Sequence, residues 1–128
     1  MVSYARKTVE EELREVVSGE ESDSLVAFHD RLRAFAMRHR TVAIVGVRKG
    51  VRVQLTISKD STALKIGNRL DPLGDEELKR FLDNPERENV VERLAHDLLD
   101  DLWRMLAGQE VDEPIVVTVG VSTLNLGR

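Results

Sequence analysis

The chain has 128 residues, of which 41% are hydrophobic and 33% are charged. This length and composition predict a single folded domain that spans residues 1–128 and exclude a disordered chain. It contains no Cys, which excludes disulfides and thiolate metal sites. No apolar run approaches the roughly 20 residues of a membrane helix. Glu10, Glu11 and Glu12 stand where a signal peptide would have its apolar core. We therefore expect a cytoplasmic protein that does not associate with membranes.

Charge is strongly segregated along the chain, although the formal net charge is only −4. Residues 31–69 hold ten basic residues and one acid, Asp60, which gives a net +9. The rest holds nine basic and 22 acidic residues, which gives −13. Such asymmetry favours interaction with an anionic partner, or pairing of the basic and acidic segments within or between subunits.

Two helices are predicted before residue 40. Ser3 can cap the first, which runs to about Val17 and ends before Gly19, with one apolar stripe formed by Ala5, Val9, Leu13, Val16 and Val17. Ser22, Asp23 or Ser24 can cap the second, whose seam is formed by Leu25, Phe28, Leu32 and Phe35. The cations that end this helix complement its dipole, so their clustering needs no ligand.

A β-hairpin over residues 41–58 is the most regular pattern of the chain. Apolar and polar residues alternate strictly from Val51 to Ser58, which predicts a half-buried antiparallel strand. The first arm, Thr41 to Val47, has no polar face, so we expect it to lie centrally and to be covered on both sides. Gly50 can supply the positive φ of the turn.

The next segment offers a third strand at residues 62–66, although Ala63-Leu64-Lys65 is also compatible with a helix. Gly67-Asn68 and Asp71-Pro72-Leu73-Gly74 are loop signals. Asp75 can cap a short helix from Glu76 to Leu82. Asn84-Pro85 indicates the start of a long helix that ends near Ala107.

A last strand is predicted at about residues 114–122. Leu124 and Leu126 fall on the opposite parity, so either a bulge near Gly120 or Ser122 corrects the phase or the tail presents these leucines to a neighbouring subunit. The predicted order is α-α-β-β-(β)-α-α-β. The expected fold is α+β, with a small, mostly antiparallel sheet packed with about four helices.

Our leading functional hypothesis is a non-enzymatic interaction or assembly module that acts as a homo-oligomer or with a protein partner. We expect the last strand to lie at the edge of the sheet. A strand of a partner can then pair with its free backbone N–H and C=O groups. The residues expected at this edge are Ile115, Val117, Val119, Leu124 and Leu126.

The alternative is electrostatic nucleic-acid binding with little sequence reading, driven by counterion release. The candidate residues are Arg31, Arg38, Arg40, Arg48, Lys49 and Arg52. A pI of about 5.4 and the scarcity of aromatic residues in this segment both count against it.

A metal-dependent enzyme is the weakest of the three hypotheses. Glu92, His96 and Asp100 lie four residues apart on the predicted long helix, where an imidazole and two carboxylates could hold a divalent metal. An ordinary solvated helix face explains the same spacing. The sequence has no nucleophile-elbow motif and no phosphate-binding Gly-rich loop, so no cofactor is expected.

Overall fold

The computed structural model describes residues 8–17, 24–84, 86 and 89–126. It confirms the α+β class. The helices are α1 (Val9–Arg14), α2 (Leu25–His39), α3 (Asp75–Leu82) and α4 (Val90–Leu106), and a 3-10 turn, Glu15–Val17, follows α1. The strands are β1 (Thr41–Arg48), β2 (Val51–Ser58), β3 (Thr62–Ile66), β4 (Arg69–Leu73), β5 (Ile115–Val119) and β6 (Ser122–Leu126). None of the described helices is long and apolar enough to cross a membrane.

The six strands form one antiparallel sheet in the order β4-β3-β2-β1-β5-β6. The predicted hairpin is confirmed, with partners running from Thr41 and Ser58 to Arg48 and Val51. Lys49 and Gly50 have φ values of 53° and 78°, so both turn residues are left-handed, as a two-residue type I′ turn requires. The predicted third strand at 62–66 is also confirmed.

The loop predicted at Gly67-Asn68 is confirmed, whereas the loop predicted at Asp71-Pro72-Leu73-Gly74 is wrong, because its first three residues form a strand. Gly67-Asn68 is the turn into β4, and Asp71, Pro72 and Leu73 lie within that strand. Pro72 is tolerated there because β4 is an edge strand. Gly120, with φ 58°, starts the turn into β6, so a chain reversal explains the change of parity that we attributed to a bulge or a free tail.

The predicted edge strand is also misplaced. β5 pairs with β1 on one side and with β6 on the other, so the sheet edges are β4 and β6. Ile115, Val117, Val119 and Leu126 are buried in the core, and Leu124 packs partly against it. These side chains face the helices because their register aligns them with buried residues of β1.

All four described helices pack on one face of the sheet. Each contributes to a single apolar cluster, represented by Leu13, Phe28, Leu82 and Leu98, and the sheet residues of that cluster come from one face only. Helices α2 and α4 both contact the central strands β1 and β2. Among the described residues, only one side of the first arm is covered, so the covering expected on its other side is not found there.

Local hydrogen bonds explain where the helices begin. Thr8 and Glu11 form a capping box at α1, with N–H to side-chain oxygen distances of 2.8 and 3.1 Å. Ser24 caps α2. Asn89, not Asn84, caps α4, and Gly74 rather than Asp75 precedes α3. Ser3, Gly19 and Pro85 lie outside the described residues.

Candidate interaction surface

One whole face of the sheet carries no described helix, and we call it the open face. Side chains alternate between the two faces of a strand, so the cross-strand register identifies its members. They are Thr41, Ala43, Val45, Val47, Arg52, Gln54, Thr56, Ser58, Ala63, Lys65, Leu70, Pro72, Val116, Thr118, Thr123 and Asn125. None of these residues is acidic and none is aromatic. Such a composition is unusual in a chain with a net charge of −4.

The half of the open face formed by β1, β5 and β6 is uncharged, and we call it the neutral half. At its centre Val45 and Val116 are direct cross-strand partners, and Ala43 and Thr118 form the neighbouring pair. Ala43 is buried by its sheet neighbours, whereas Val47 is 55% exposed. Its side chains are Ala, Val, Thr and Asn, so a surface that covers this half buries no charge, although the hydroxyl and amide groups need hydrogen-bond partners in the contact.

The only two cations of the open face lie together at one end of β2 and β3. Arg52, Gln54, Lys65, Gly67 and Asn68 line a shallow depression of about 280 Å³, which we call the cationic corner. Gln54 and Lys65 are cross-strand partners, and the Gly67 N–H donates to the Arg52 carbonyl over 3.0 Å. The turn Lys49-Gly50 lies at the same end of the sheet.

Three of the six predicted nucleic-acid-binding cations have partners inside the protein. Arg31 Nε donates to the Val16 carbonyl over 2.7 Å. Arg38 lies 5.3 Å above the Phe35 ring and 3.9 Å from a Glu12 oxygen. Arg48 pairs with two acids. The basic segment is therefore partly neutralised by the acidic segments that precede and follow it.

Arg48 lies on the helix side of the sheet, and only 13% of its side chain is exposed. It donates to Asp101 of α4 and, over 2.9 Å, to Glu113. Burial raises the pKa of Asp101 above its usual range, and the nearby Arg48 opposes that rise without cancelling it. This ion pair joins the end of β1 to α4, so Arg48 is not available to an external phosphate.

The other three predicted cations, Arg40, Lys49 and Arg52, are exposed, but they do not form one cluster. Arg40 precedes β1, whereas Lys49 and Arg52 lie at its far end, about 23 Å away for a strand of this length. Among the described residues other than Gly, only Arg40 and Lys49 have positive φ values, 82° and 53°. Nucleic-acid binding by these three residues stays a prediction.

The structure does not bring the predicted metal ligands together. Asp100 pairs with Arg104 over 3.1 Å, and His96 Nδ1 lies 3.2 Å from Asp97. No group of three His, Asp or Glu side chains within the described part of the chain could hold a metal ion.

A buried polar junction joins α2, β3 and α3. His29 Nε2 lies 2.9 Å from the Thr62 hydroxyl, to which Arg33 also donates, and Arg33 donates to Asp75 over 2.8 Å. Burial, and then the Arg33 charge, lower the pKa of His29. Arg33 Nε has no partner among the described protein atoms, but an adjacent cavity of about 90 Å³ has room for water. We interpret this junction as structural.

Comparisons with protein-family models, with curated proteins and with solved structures found no match.

Sequence reasoning missed the cationic corner, although part of its signal was present. The alternation of β2 places Arg52 and Gln54 on one polar face. The missing information was the hairpin between β3 and β4, which places Gly67 and Asn68 beside them. The Arg48 ion pair gave no signal, since Asp101 and Glu113 are more than 50 residues away along the chain.

Proposed function

We propose that this protein is a small assembly module and that a second copy of the chain covers its open face. One observation carries the proposal. A six-stranded sheet has all its described helices on one face, while its other face has no acid and is uncharged over three neighbouring strands. Soluble proteins normally place charged residues across such a sheet face, as they do on the solvated face of an antiparallel sheet.

The size of the open face fits this role. Six strands spaced about 4.8 Å apart, with five to eight residues each at about 3.3 Å, cover roughly 500–700 Å². A standard stable interface buries about 800 Å² on each partner. The neutral half makes up about half of this area, so the rest of such an interface would come from the residues at its margins.

The charge layout favours a second copy as the partner. In a two-fold symmetric dimer the same patch serves both subunits, so the patch must tolerate its own charges. A two-fold axis through the neutral half places small apolar and hydroxyl side chains against one another. The two cationic corners then lie at opposite margins, where like charges are separated and solvated.

The test is the molar mass in solution of the wild type and of a Val45→Lys variant. Val45 lies on the neutral half beside Val116, so a lysine there would place an unpaired charge inside the interface. We expect the wild type to sediment as a dimer and the variant as a monomer with an unchanged circular dichroism spectrum. The shift in the association constant should exceed about 30-fold, which corresponds to about 2 kcal/mol.

Val121→Lys is the matched control, because Val121 lies in the turn before β6 and is fully exposed. This variant should sediment like the wild type. A wild type that stays monomeric at high concentration would contradict the proposal, and so would a Val45→Lys variant that still dimerises.

A further inference from the structure

We propose that the cationic corner is a binding site for a phosphate group. It contains the only two cations of the open face, and two side-chain amides lie beside them around one depression. The inference is independent of the association proposed above, because the corner lies outside the neutral half.

The register of the strands places the two cations side by side. Lys65 is the partner of Gln54, and Arg52 is two residues before Gln54 on the same face, so the cations are diagonal neighbours. Diagonal neighbours on one sheet face are about 7–8 Å apart, within reach of two long side chains that converge on one oxyanion. The Gly67 to Arg52 hydrogen bond fixes the hairpin end on which they stand.

No acid of the described chain occupies this site. Arg14, Arg33, Arg48, Arg69 and Arg104 each pair with a carboxylate, whereas Arg52 and Lys65 have no ion pair among the described residues. Asp71 of the neighbouring β4 is aligned with the buried Leu64, on the helix side of the sheet. Glu113 is already bound to Arg48. The charge of the corner is therefore directed at solvent.

The turn at this end adds a third cation at a conformational cost. Type I′ turns favour Asn, Asp or Gly at both central positions because φ is positive there. The chain has Lys49 at the first of them, with φ 53°. A lysine in this position costs more than Asn or Gly would, and it raises the positive potential at the end of the sheet that holds the corner.

A phosphate group fits these donors better than a carboxylate does. The Arg52 guanidinium can donate two parallel hydrogen bonds, Lys65 provides a mobile point charge and the Asn68 amide provides a neutral donor. A tetrahedral anion with several oxygens can accept from all three. The phosphate could belong to a free phosphomonoester or to the backbone of a single-stranded nucleic acid, since both present the same oxygens.

The experiment is an amide NMR titration of the full chain with inorganic phosphate and, separately, with a short oligothymidylate. We expect both to shift the amides of residues 52, 54, 65, 67 and 68. Arg52→Gln and Lys65→Gln should each weaken phosphate binding about two- to fivefold, the effect of an exposed ion pair, and the double variant should remove the shifts. Arg80→Gln, an exposed cation on the helix side, is the matched control and should bind like the wild type.

The two probes distinguish the sources of the phosphate. Tighter, steeply salt-dependent binding of the oligonucleotide would assign the site to a nucleic-acid backbone, and binding of inorganic phosphate alone would assign it to a free phosphomonoester. The site would be overturned if sodium chloride at equal ionic strength produced the same shifts, or if the double variant kept them. Repeating the titration at protein concentrations above and below the one at which the wild type dimerises separates this result from any failure of the association.

Discussion

Gly46 shows how one missing side chain permits a partly buried ion pair. A Cβ at this position would lie 2.8 Å from Arg48 Nη1 and 3.1 Å from Leu98 Cδ2. The guanidinium cannot move aside freely, because Asp101 and Glu113 hold it in place. A glycine in a central strand weakens the strand, and here the close approach of Arg48 explains its presence.

We predict that Gly46→Ala destabilises the protein by about 1–3 kcal/mol, because the added methyl group displaces Arg48 from its carboxylates. The measurement is the free energy of unfolding from urea titrations. In an Arg48→Ala background the same change should cost at least about 1 kcal/mol less, since no guanidinium remains to be displaced. Equal costs in the two backgrounds would show that the clash with Leu98, and not the ion pair, determines the effect.

Arg40 occupies the most strained backbone position of the described chain. Its φ of 82° and ψ of −63° match the rare γ-turn with positive φ, which disfavours residues with a Cβ. The strain lies where α2 ends and the chain turns directly into β1. The Arg40 side chain itself is exposed.

Arg40→Gly should therefore stabilise the protein by about 1 kcal/mol, because glycine reaches this conformation without steric cost. Thermal and urea unfolding both measure the effect. Arg38→Gly, in the last turns of α2, is the control and should destabilise by a similar amount through its lower helix propensity. A loss of stability in Arg40→Gly would mean that the arginine side chain makes a contact that outweighs the backbone strain.

At the scale of elements, the junction of His29, Thr62, Arg33 and Asp75 joins α2, β3 and α3 through polar side chains. A neutral imidazole can accept the Thr62 hydroxyl hydrogen at Nε2, while the same hydroxyl oxygen accepts from Arg33. A protonated ring could not accept it, and it would face the Arg33 cation. Asp30 and Asp75 oppose this repulsion without reversing it, since the pKa of His29 remains lowered.

The lowered pKa predicts how stability depends on pH. Below the ordinary histidine pKa of 6.5, His29 is protonated in the unfolded chain but stays neutral in the folded chain. The free energy of unfolding should therefore fall as pH falls, until the pH passes the folded-state pKa of His29. Urea titrations on both sides of pH 6.5 measure this. His29→Gln should lose this part of the decline, whereas His96→Gln should keep it. An unchanged decline in His29→Gln would mean that other groups cause it.

The elements that could be predicted are those whose pattern is local. The alternation of β2 and the seam of α2 require no knowledge of distant residues, and both helix and strand were confirmed. β4 could not be predicted because Asp71-Pro72 is a turn signal in most contexts and becomes a strand only as the edge partner of β3. β5 was predicted as an edge strand because the turn at Gly120 was not predicted, and without that turn there is no β6 to pair with β5.

At the scale of the molecule, only part of the positive charge of residues 31–69 is available to an external partner. Arg31, Arg33 and Arg48 make contacts inside the protein, and Arg33 and Arg48 bind carboxylates from the acidic segments. The one-sided covering of the sheet could not be predicted, because β1 has apolar residues on both faces. Its pattern therefore does not indicate which face packs against the helices. The candidate surface thus emerges from topology and not from any motif.

The most direct test of the central claim is an isotope-filtered NMR experiment on a mixture of labelled and unlabelled chains. If a second copy covers the open face, methyl groups of Val45 and Val116 should show nuclear Overhauser effects to protons of the unlabelled chain. Methyl groups of Met37, which is 66% exposed on the helix side, should show none. Intermolecular effects confined to Met37 and its neighbours, or absent at a concentration where the mass is that of a dimer, would contradict the account.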